Sequence, residues 1–554
     1  MRIVLCQINT TVGDIQGNVA RILREIEEVR EAADILVFPE LAVCGYPPTD
    51  HVFREGFRAL CRDANQALIK ASAKYPGLTI IAGTMIPTEN GSTARLCNGV
   101  LVAQNGQEIA TARKTHLPTY DIYDESRFFA PGIGAPCVVN LGAIRLGIAV
   151  CEDFWRVENP EDFRNYPRSV GAELSAAGAT HLLNLSASPW HVGKVQERSD
   201  VVAGVARENK LPLFYANLVG GNDALIFDGR SLAWDKDGKE IARAQAYKED
   251  RLAFNIDTKG DVLPLGSNPN EAPVDESSED IVAALTLGIR DFVRKCNVDT
   301  VLIGLSGGID SAVTACLAAL ALGPDKVLGV AMPSAISSAE SLEDARELAE
   351  GLGIDFLSIP IQGGVDTLVH TIESSSKGRL RGLAFENIQA RIRGTILMAI
   401  ANDKKAMVLS TGNKSELATG YCTLYGDMAG GLAVLGDLTK KQVYSVGRAA
   451  SRLAGDEAIP ERIFTKAPTA ELSPGQQDSD FLPEYSALDA FVENYVVEEL
   501  EPSAAASEGL DGAFWASRIE SQSFKRAQSP PILRISPKAF GMGRRQAVAK
   551  EFLF

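Results

Sequence analysis

The sequence predicts an α/β protein of two domains, and two observations about its strands and helices support this prediction. From residue 1 to about residue 260, short apolar runs typical of strands recur with helical segments between them, and Gly, Pro or Asn follows most runs. From about residue 281, helical and strand-like segments alternate along the chain. This alternation favours a doubly wound parallel sheet with helices on both faces.

The elements of each half are read from the periodicity of the apolar residues. A hairpin turn is expected at residues 235–238, between strand-like segments at 231–234 and 240–243. The other strands expected in the first half cover residues 2–8, 35–39, 78–85, 100–103, 145–150, 181–185 and 211–216. In the second half we expect helices at 281–295, 311–322 and 338–350 and strands at 300–305, 326–332 and 356–360.

A segment rich in Pro and in polar and acidic residues separates the two halves. We interpret residues 261–280 as a linker, with a first domain over residues 1–260 and a second over residues 281–554. Two further polar stretches, residues 373–382 and 472–480, are expected to be mobile, either as lids over a binding site or as plain surface loops.

Composition narrows the class of protein. The 554 residues are 45% hydrophobic and 23% charged, which is ordinary for a soluble globular protein, and the net charge of -16 argues against a nucleic-acid binder. The amino-terminal segment lacks the features of a signal peptide, and no apolar stretch reaches the ~20 residues of a membrane span. Nine scattered cysteines and five histidines indicate reduced thiols. We therefore expect a cytoplasmic protein that binds small molecules, not nucleic acid or membranes.

The segment Ser306-Gly-Gly-Ile-Asp-Ser311 is the clearest functional signal in the second half. It follows an apolar strand and precedes a helix. The glycines let backbone N–H groups approach an anion closely and the helix amino terminus adds a partial positive charge, so the segment predicts an anion site. Its spacing is not that of the common P-loop. Asp310 and Glu416 are carboxylates suited to Mg²⁺, and Thr411 is expected near an adenosine. The predicted phosphate-binding residues are Gly304, Leu305, Ser306, Gly307, Gly308, Ile309, Asp310 and Ser311.

Three polar residues of the first half, Glu40, Lys114 and Cys151, stand at the ends of apolar strands. A carboxylate, an amine and a thiol gathered at strand ends suit covalent acyl transfer. The thiolate is the nucleophile, and a nearby base and cation lower the cost of forming it. The ammonium also stabilises the oxyanion of a tetrahedral intermediate.

The three residues in this order resemble the Glu–Lys–Cys triad of the nitrilase-type carbon–nitrogen hydrolases. The resemblance implies a four-layer α-β-β-α sandwich that cleaves carboxamides. It implies that Glu40 is the general base, Lys114 the oxyanion stabiliser and Cys151 the nucleophile. In the members of this superfamily that use glutamine, similar positions bind its amino-acid head group. The matching residues here are Tyr120, Glu125, Ser188 and Lys194.

The second half resembles the ATP pyrophosphatases, and within them NAD synthetase. Segments 387–393, 407–416, 420–427, 438–441, 466–472 and 523–526 carry this resemblance. Joined to a nitrilase-type half, the chain is similar over essentially its whole length to the bacterial glutamine-dependent NAD synthetases. The resemblance implies that Lys440 and Thr469 contact ATP and that Asn387, Glu416 and Lys525 contact deamido-NAD. Single-domain relatives that use ammonia tend to carry a basic residue in the stretch matching 420–427, and this chain has none.

The implied reaction adenylylates the nicotinate carboxylate of deamido-NAD with ATP and displaces AMP with ammonia from glutamine. A homo-oligomer that uses Mg²⁺ is expected. Two other functions stay open from the sequence. One is a different amidotransferase of the ATP-pyrophosphatase type, which would act on another carboxylate or on a nucleobase. The other is a nucleotide-sensing protein whose catalytic residues are relics.

Overall fold

The structure is a computed structural model that divides into two compact units. The first unit comprises Met1–Asn222 and Ile226–Asp275, and the second comprises Asp223–Leu225 and Glu276–Phe554. No helix in the described part of the chain is long and apolar enough to cross a bilayer. The structure describes residues 1–91, 95–142, 144–156, 162, 164–257, 261–265, 277–376, 378–455, 458–469 and 471–551.

The first unit contains two large sheets, a two-stranded hairpin and several helices. The strands are β1 (Arg2–Gln7), β2 (Ile35–Phe38), β3 (Thr79–Ile86), β4 (Cys97–Gln104), β5 (Gln107–Arg113), β6 (Cys137–Leu141), β7 (Ile144–Val150), β8 (His181–Ser186), β9 (Leu213–Asn217), β10 (Val219–Asn222), β11 (Leu225–Asp228), β12 (Leu232–Trp234), β13 (Glu240–Arg243), β14 (Asp250–Ile256) and β15 (Val262–Leu265). The helices are α1 (Ile15–Val29), α2 (Glu55–Ser72), α3 (Glu125–Phe128), α4 (Val170–Ala176) and α5 (Lys194–Asn209), with 3₁₀ turns at Thr49–Phe53 and Cys151–Phe154.

The two sheets of the first unit form the middle of a four-layer sandwich. Their strand orders are β15-β14-β1-β2-β3-β4-β5 and β13-β12-β9-β8-β7-β6. Side chains two residues apart, such as Ile3 and Leu5 on β1 and Leu183 and Leu185 on β8, meet in one core, because alternate residues of a strand point to the same face. Helix α2 packs on β3 and β4, and α4 and α5 cover the other sheet. The predicted α-β-β-α architecture is confirmed.

The second unit is built on one five-stranded parallel sheet. Its strands are β16 (Val301–Gly304), β17 (Val327–Ala331), β18 (Asp355–Ser358), β19 (Met407–Ser410) and β20 (Leu432–Ala433). The longer helices are α6 (Ser278–Lys295), α7 (Ile309–Leu322), α8 (Ala339–Leu352), α9 (Gln362–Ser376), α10 (Leu383–Lys404) and α12 (Lys440–Ala454). The shorter ones are α11 (Lys414–Thr419), α13 (Glu461–Thr465), α14 (Tyr485–Val492), α15 (Pro502–Ala505), α16 (Gly512–Ser521) and α17 (Ser523–Arg526), with 3₁₀ turns at Pro324–Lys326 and Asp478–Asp480 and a π-helical turn at Glu493–Val497.

The strand order β18-β17-β16-β19-β20 places a topological switch point between β16 and β19. The chain moves outward from β16 to β18 and then returns to the other side of β16. Helix α7 packs on β16 and β17 together with α6 and α12, whereas α9 and α10 share a core with the sheet through Val365 and Ile392. The predicted doubly wound sheet is confirmed, and ligands of such sheets bind outside the carboxyl ends of the strands at the switch point.

The structure corrects three of the predicted segments. Residues 262–265, assigned to the linker, form β15, which pairs antiparallel with β14 and extends the first sheet. The helix expected from residue 281 begins three residues earlier, at Ser278, and the side chain of Ser277 caps it. Residues 258–260 and 266–276 of the predicted domain boundary and linker lie outside the described residues. The prediction of a loop at residues 373–382 is also partly wrong, because α9 continues to Ser376. Lys377 lies outside the described residues.

Candidate active sites

A buried ion cluster at strand ends forms the centre of the first site. Lys114 follows β5 and donates from Nζ to Glu40 Oε1 at 2.8 Å and to Glu125 Oε1 at 2.7 Å. All three side chains are buried. Burial alone would lower the pKa of the Lys114 ammonium, but the charges of Glu125 and Glu40 outweigh it and hold that pKa well above its ordinary value. Lys114 is therefore a permanent cation between two carboxylates.

Further donors fix the two carboxylates of this cluster. Glu40 accepts from Asn98 Nδ2 at 2.7 Å and from the amide N of Ala187 at 2.8 Å. Glu125 accepts from the Tyr46 hydroxyl at 2.8 Å. Glu125, expected to bind the glutamine head group, thus contacts the predicted triad.

Cys151 opens the 3₁₀ turn that follows β7. Its φ of 41° lies in the left-handed region, which non-glycine residues rarely adopt, and strained backbone of this kind is concentrated at functional sites. The side chain is buried, and burial together with the charge of Glu40 raises the pKa of its thiol well above the ordinary value, against the opposing effect of Lys114. The thiol is therefore protonated in the resting site.

Asp153 joins the segments that carry Lys114 and Cys151. Its Oδ1 accepts from the amide N atoms of Thr115 at 2.8 Å and His116 at 3.0 Å, and its Oδ2 accepts from the amide N of Val150 at 2.9 Å. One buried carboxylate thus fixes the residue after Lys114 and the residue before Cys151. Burial raises the pKa of Asp153 to about 6 in spite of these three bonds.

Two of the residues predicted to bind glutamine contact the turn that Cys151 opens. The Tyr120 hydroxyl donates to Glu152 Oε1 at 3.0 Å, and the Lys194 ammonium lies 3.9 Å from the centre of the Trp155 ring. Burial raises the pKa of Glu152 to about 7 and lowers that of Lys194. Ser188 is buried after β8. A carboxylate and an ammonium therefore flank the Cys151 turn.

The second site is a cavity of ≈ 280 Å³ in the second unit. The loop between β16 and α7 lines it, so the predicted phosphate loop lies at the switch point of the sheet. Gly307 has a φ of 76°, and a Cβ built on it would lie 2.3 Å from the carbonyl O of Ser341, so only glycine fits there. Ser311 Oγ donates to the carbonyl O of Gly308 at 3.0 Å and holds the turn closed.

Two carboxylates and one lysine meet next to the phosphate loop. Lys440 Nζ lies 2.6 Å from Asp310 Oδ2 and 3.5 Å from Glu416 Oε1, and Asn413 Nδ2 donates to Asp310 Oδ1 at 2.9 Å. Burial and then the charge of Asp310 raise the pKa of Glu416 to about 8, although Lys440 opposes this. Two carboxylates that repel each other and share one lysine are a donor set that fits a hard divalent cation.

The other predicted nucleotide residues divide into two groups. Thr411, Lys440 and Thr469 line the cavity, as does Glu416. Lys525 instead donates to the carbonyl O atoms of Gly420 at 2.6 Å and Cys422 at 2.9 Å. Asn387 Oδ1 accepts from the Thr423 hydroxyl at 2.7 Å. These two residues therefore hold the 420–427 loop, part of which lines the cavity.

The sequence did not single out several residues that the structure brings to the sites. Asn98 is the second residue of β4 and pairs with Met85 near the end of β3, and Glu152 and Asp153 lie directly after Cys151. In the second unit, Asp478 and Arg393 line the cavity. The acidic pair after Cys151 was a usable signal, because two adjacent carboxylates in an otherwise apolar turn need partners. Arg393 ends segment 387–393, which carries the resemblance, but nothing in the segment marked it as a cavity residue, since arginine is common on helix surfaces.

Comparison with known proteins identifies both halves of the chain. The family model described as carbon-nitrogen hydrolase matches residues 2–260, and the one described as NAD synthase matches residues 281–529. The chain is similar to a glutamine-dependent NAD(+) synthetase from Thermotoga maritima, at 37% identity over 100% of this chain and 99% of the relative. It is also 38% identical to the protein of that description from Synechocystis sp., with 99% of each chain covered.

A solved structure is similar over the same extent. It is a glutamine-dependent NAD+ synthetase from Acinetobacter baumannii in complex with adenosine diphosphate. The two chains are 32% identical, with a TM-score of 0.77, and the match covers 99% of this chain and 98% of the other.

Proposed function

Since the chain belongs to the family of glutamine-dependent NAD(+) synthetases, we propose that it converts deamido-NAD to NAD with ammonia taken from glutamine and with ATP as the activating substrate. The first unit releases the ammonia, and the second activates the acceptor. One observation carries the proposal: each unit has its own polar site at the ends of its strands, with a thiol, a lysine and carboxylates in one and a phosphate loop in the other.

In the first unit, Cys151 attacks the carboxamide carbon of glutamine and its thiol proton passes to Glu40. Lys114, held by Glu40 and Glu125, donates a hydrogen bond to the developing oxyanion. Collapse of the intermediate transfers the proton from Glu40 to the leaving ammonia and leaves a glutamyl thioester on Cys151. Water, deprotonated by Glu40, then attacks the thioester, the carbon–sulfur bond breaks to release glutamate, and Glu40 returns the proton to the Cys151 sulfur.

The charges beside Cys151 suit the head group of glutamine. Free glutamine carries an ammonium and a carboxylate on its α-carbon, and the site offers the Glu152 carboxylate, bonded to Tyr120, and the Lys194 ammonium. We assign Tyr120, Ser188 and Lys194 to this head group, together with Glu152. Glu125 acts on Lys114 and through it on the substrate.

In the second unit, the phosphate loop binds the triphosphate of ATP, and Thr411, Lys440 and Thr469 contact the same nucleotide. The nicotinate carboxylate attacks the α-phosphorus and pyrophosphate leaves; ammonia then attacks the acyl carbon and AMP leaves. Asp310 and Glu416 would hold Mg²⁺, whose charge offsets that of the triphosphate. The ADP bound to the Acinetobacter relative supports an adenine nucleotide as ligand.

Contacts with deamido-NAD are assigned to Asn387, Glu416 and Lys525. Glu416 lines the cavity itself, whereas Asn387 and Lys525 act through the 420–427 loop to which they are bonded. Assembly into a homo-oligomer stays a prediction, which light scattering of the purified chain would test.

The proposal is tested by supplying the purified chain with ATP, Mg²⁺, deamido-NAD and either glutamine or ammonium. We expect NAD, AMP and pyrophosphate in equal amounts from both nitrogen sources. Pyrophosphate release that occurs with aspartate or xanthosine monophosphate in place of deamido-NAD would instead indicate another amidotransferase. No release with any acceptor would indicate a nucleotide-sensing protein.

A further inference from the structure

Arg393 is a cation in the nucleotide cavity of the second unit that neither the phosphate loop nor the carboxylate pair accounts for. It lies on α10 and lines the cavity. Its Nε donates to the carbonyl O of Met332 at 3.0 Å, directly after β17. Among the described residues, no acceptor lies within hydrogen-bond distance of Nη1 or Nη2. The guanidinium is thus anchored through one donor, and four N–H donors on its Nη atoms have no partner there.

The carboxylate that acts most on Arg393 is already committed to other groups. Burial lowers the pKa of Arg393, and the charge of Glu471 opposes this only in part. Glu471 Oε1 accepts from Ser341 Oγ at 2.6 Å and Ser338 Oγ at 3.1 Å, and Lys466 Nζ lies 3.8 Å from it. A partly buried guanidinium without a paired anion is costly, so an anion bound in the cavity would offset that cost.

We propose that Arg393 binds a phosphate group of a nucleotide substrate through its Nη atoms. The planar fork of guanidinium donors matches phosphate oxygens, and the Nε anchor fixes the plane before the ligand arrives. Ser306 and Gly308 of the phosphate loop line the same cavity, which supports a phosphorylated occupant. The inference rests on the proposed function and deepens it, since the phosphate belongs either to ATP or to deamido-NAD.

The test is calorimetric titration of Arg393→Gln with ADP, adenosine and deamido-NAD. Arg290→Gln is a matched control, because Arg290 on α6 also donates from Nε to a backbone carbonyl, that of Ala321, but is exposed and does not line the cavity. Loss of charge-assisted hydrogen bonds should weaken binding about 10- to 100-fold in Arg393→Gln and leave Arg290→Gln unchanged.

Weaker binding of ADP with adenosine unchanged assigns the phosphate to ATP, and weaker binding of deamido-NAD alone assigns it to the dinucleotide. Equal loss for adenosine and ADP, or affinities within about twofold of the wild type for both nucleotides, overturns the proposal. These binding measurements do not depend on turnover. A wild-type chain that binds ADP but forms no NAD would therefore contradict the proposed function alone.

The melting temperature of the Arg393 variant distinguishes a role of Arg393 in binding from a role in stabilising the fold. Removing a partly buried cation that has no paired anion should leave the melting temperature of the ligand-free Arg393→Gln variant at or above that of the wild type. A lower melting temperature combined with unchanged affinity would make Arg393 a structural residue and overturn the proposal. If Arg393→Gln does not fold, Arg393→Lys replaces it in the titrations. It keeps the charge but loses the planar fork, so its affinity should also be weakened.

Discussion

At the scale of single residues, the first site depends on how buried charges compensate one another. Lys114 is ion-paired with both Glu40 and Glu125, and burial together with the charge of Glu40 raises the pKa of the Cys151 thiol. The sequence suggested that a base and a cation would favour a thiolate. Because burial and the Glu40 charge raise the pKa of the thiol, the resting thiol is expected to be protonated, and in the proposed mechanism Glu40 takes up its proton as the substrate is attacked.

Replacing Glu40 by Gln should change the reactivity and the catalysis of Cys151 in opposite directions. The Glu40 charge raises the thiol pKa, so its removal lowers that pKa and increases the thiolate fraction at a given pH. Alkylation of Cys151 by iodoacetamide between about pH 7 and pH 9 should become faster, whereas glutamine hydrolysis should be lost with the base.

Mass spectrometry of the Cys151 peptide measures this alkylation. In the wild type, the rate should rise about tenfold per pH unit without a plateau over that range, since the thiol titrates above it. Slower alkylation in Glu40→Gln than in the wild type would contradict the assigned electrostatics. Glu31→Gln serves as a control, because Glu31 is exposed.

Replacing Lys114 by Met should destabilise the first unit as well as abolish glutamine hydrolysis. Two buried carboxylates would lose their shared cation, which typically costs about 3–5 kcal/mol of unfolding free energy. Burial raises the pKa of the Glu125 carboxyl, and a carboxyl whose folded-state pKa is raised destabilises the fold only while it is ionised. The part of the deficit that is due to Glu125 should therefore be full above its folded-state pKa and shrink as the pH falls toward its unfolded-state pKa.

Urea unfolding followed by tryptophan fluorescence measures this deficit, because Trp190 and Trp234 are buried in the first unit. Lys236→Met is the control, since Lys236 is exposed in the β12–β13 hairpin turn. A Lys114→Met variant as stable as Lys236→Met at neutral pH would show that the cluster does not hold the strand ends together.

The sequence could single out Glu40 and Cys151 because each follows a predicted apolar strand, whereas Lys114 follows β5, which is mostly polar and was not among the predicted strands. It could not show that Glu125 contacts Lys114, since the two segments meet only after the chain folds. Asn98 was missed for a related reason: a polar residue inside an apolar strand gives no indication of which buried groups it faces. Partners of buried polar groups depend on tertiary contacts, which a pattern in one sequence does not contain.

At the scale of elements, the phosphate loop depends on the left-handed backbone conformation of Gly307. In Gly307→Ala, the left-handed φ and the approach to the Ser341 carbonyl would both be unfavourable. We expect this variant to lose NAD formation from either nitrogen source and to retain glutamine hydrolysis, because the loop belongs to the second unit.

Gly323→Ala is the matched control for this variant. Gly323 ends α7 with a φ of 90°, but a Cβ there would meet no atom within 4 Å. Its replacement should cost roughly 1 kcal/mol of stability through backbone strain and leave NAD formation intact. NAD formation at the wild-type rate by Gly307→Ala would mean that the loop does not need its tight turn.

Elements with strong apolar runs were predicted well, and those with mixed composition were not. The strands and helices around the phosphate loop lie within a few residues of their expected bounds. Strand β15 was assigned to the linker because Val262–Leu265 is short, contains a proline and is exposed over most of its length. It is an edge strand, which needs only one neighbour, so neither burial nor alternation identifies it.

At the scale of the whole molecule, the chain joins two units that each have their own core and their own site. Alternation of strands and helices predicted the second architecture directly. The architecture of the first unit could be predicted only from the family resemblance, because the sequence pattern of the strands does not indicate that they form two sheets packed face to face. This division leads us to propose that ammonia release and acceptor activation are separate reactions of separate units.

Reciprocal inactivation tests this claim most directly. Cys151→Ala should make no NAD from glutamine but should use ammonium at the wild-type rate, with Cys137→Ala as a control that uses both. Asp310→Ala should make no NAD from either source and still hydrolyse glutamine, since that reaction uses only the first unit. The measurement is NAD and glutamate formed by each variant with each nitrogen source. Glutamine-driven NAD formation by Cys151→Ala, or ammonium-driven NAD formation by Asp310→Ala at the wild-type rate, would contradict the two-site account.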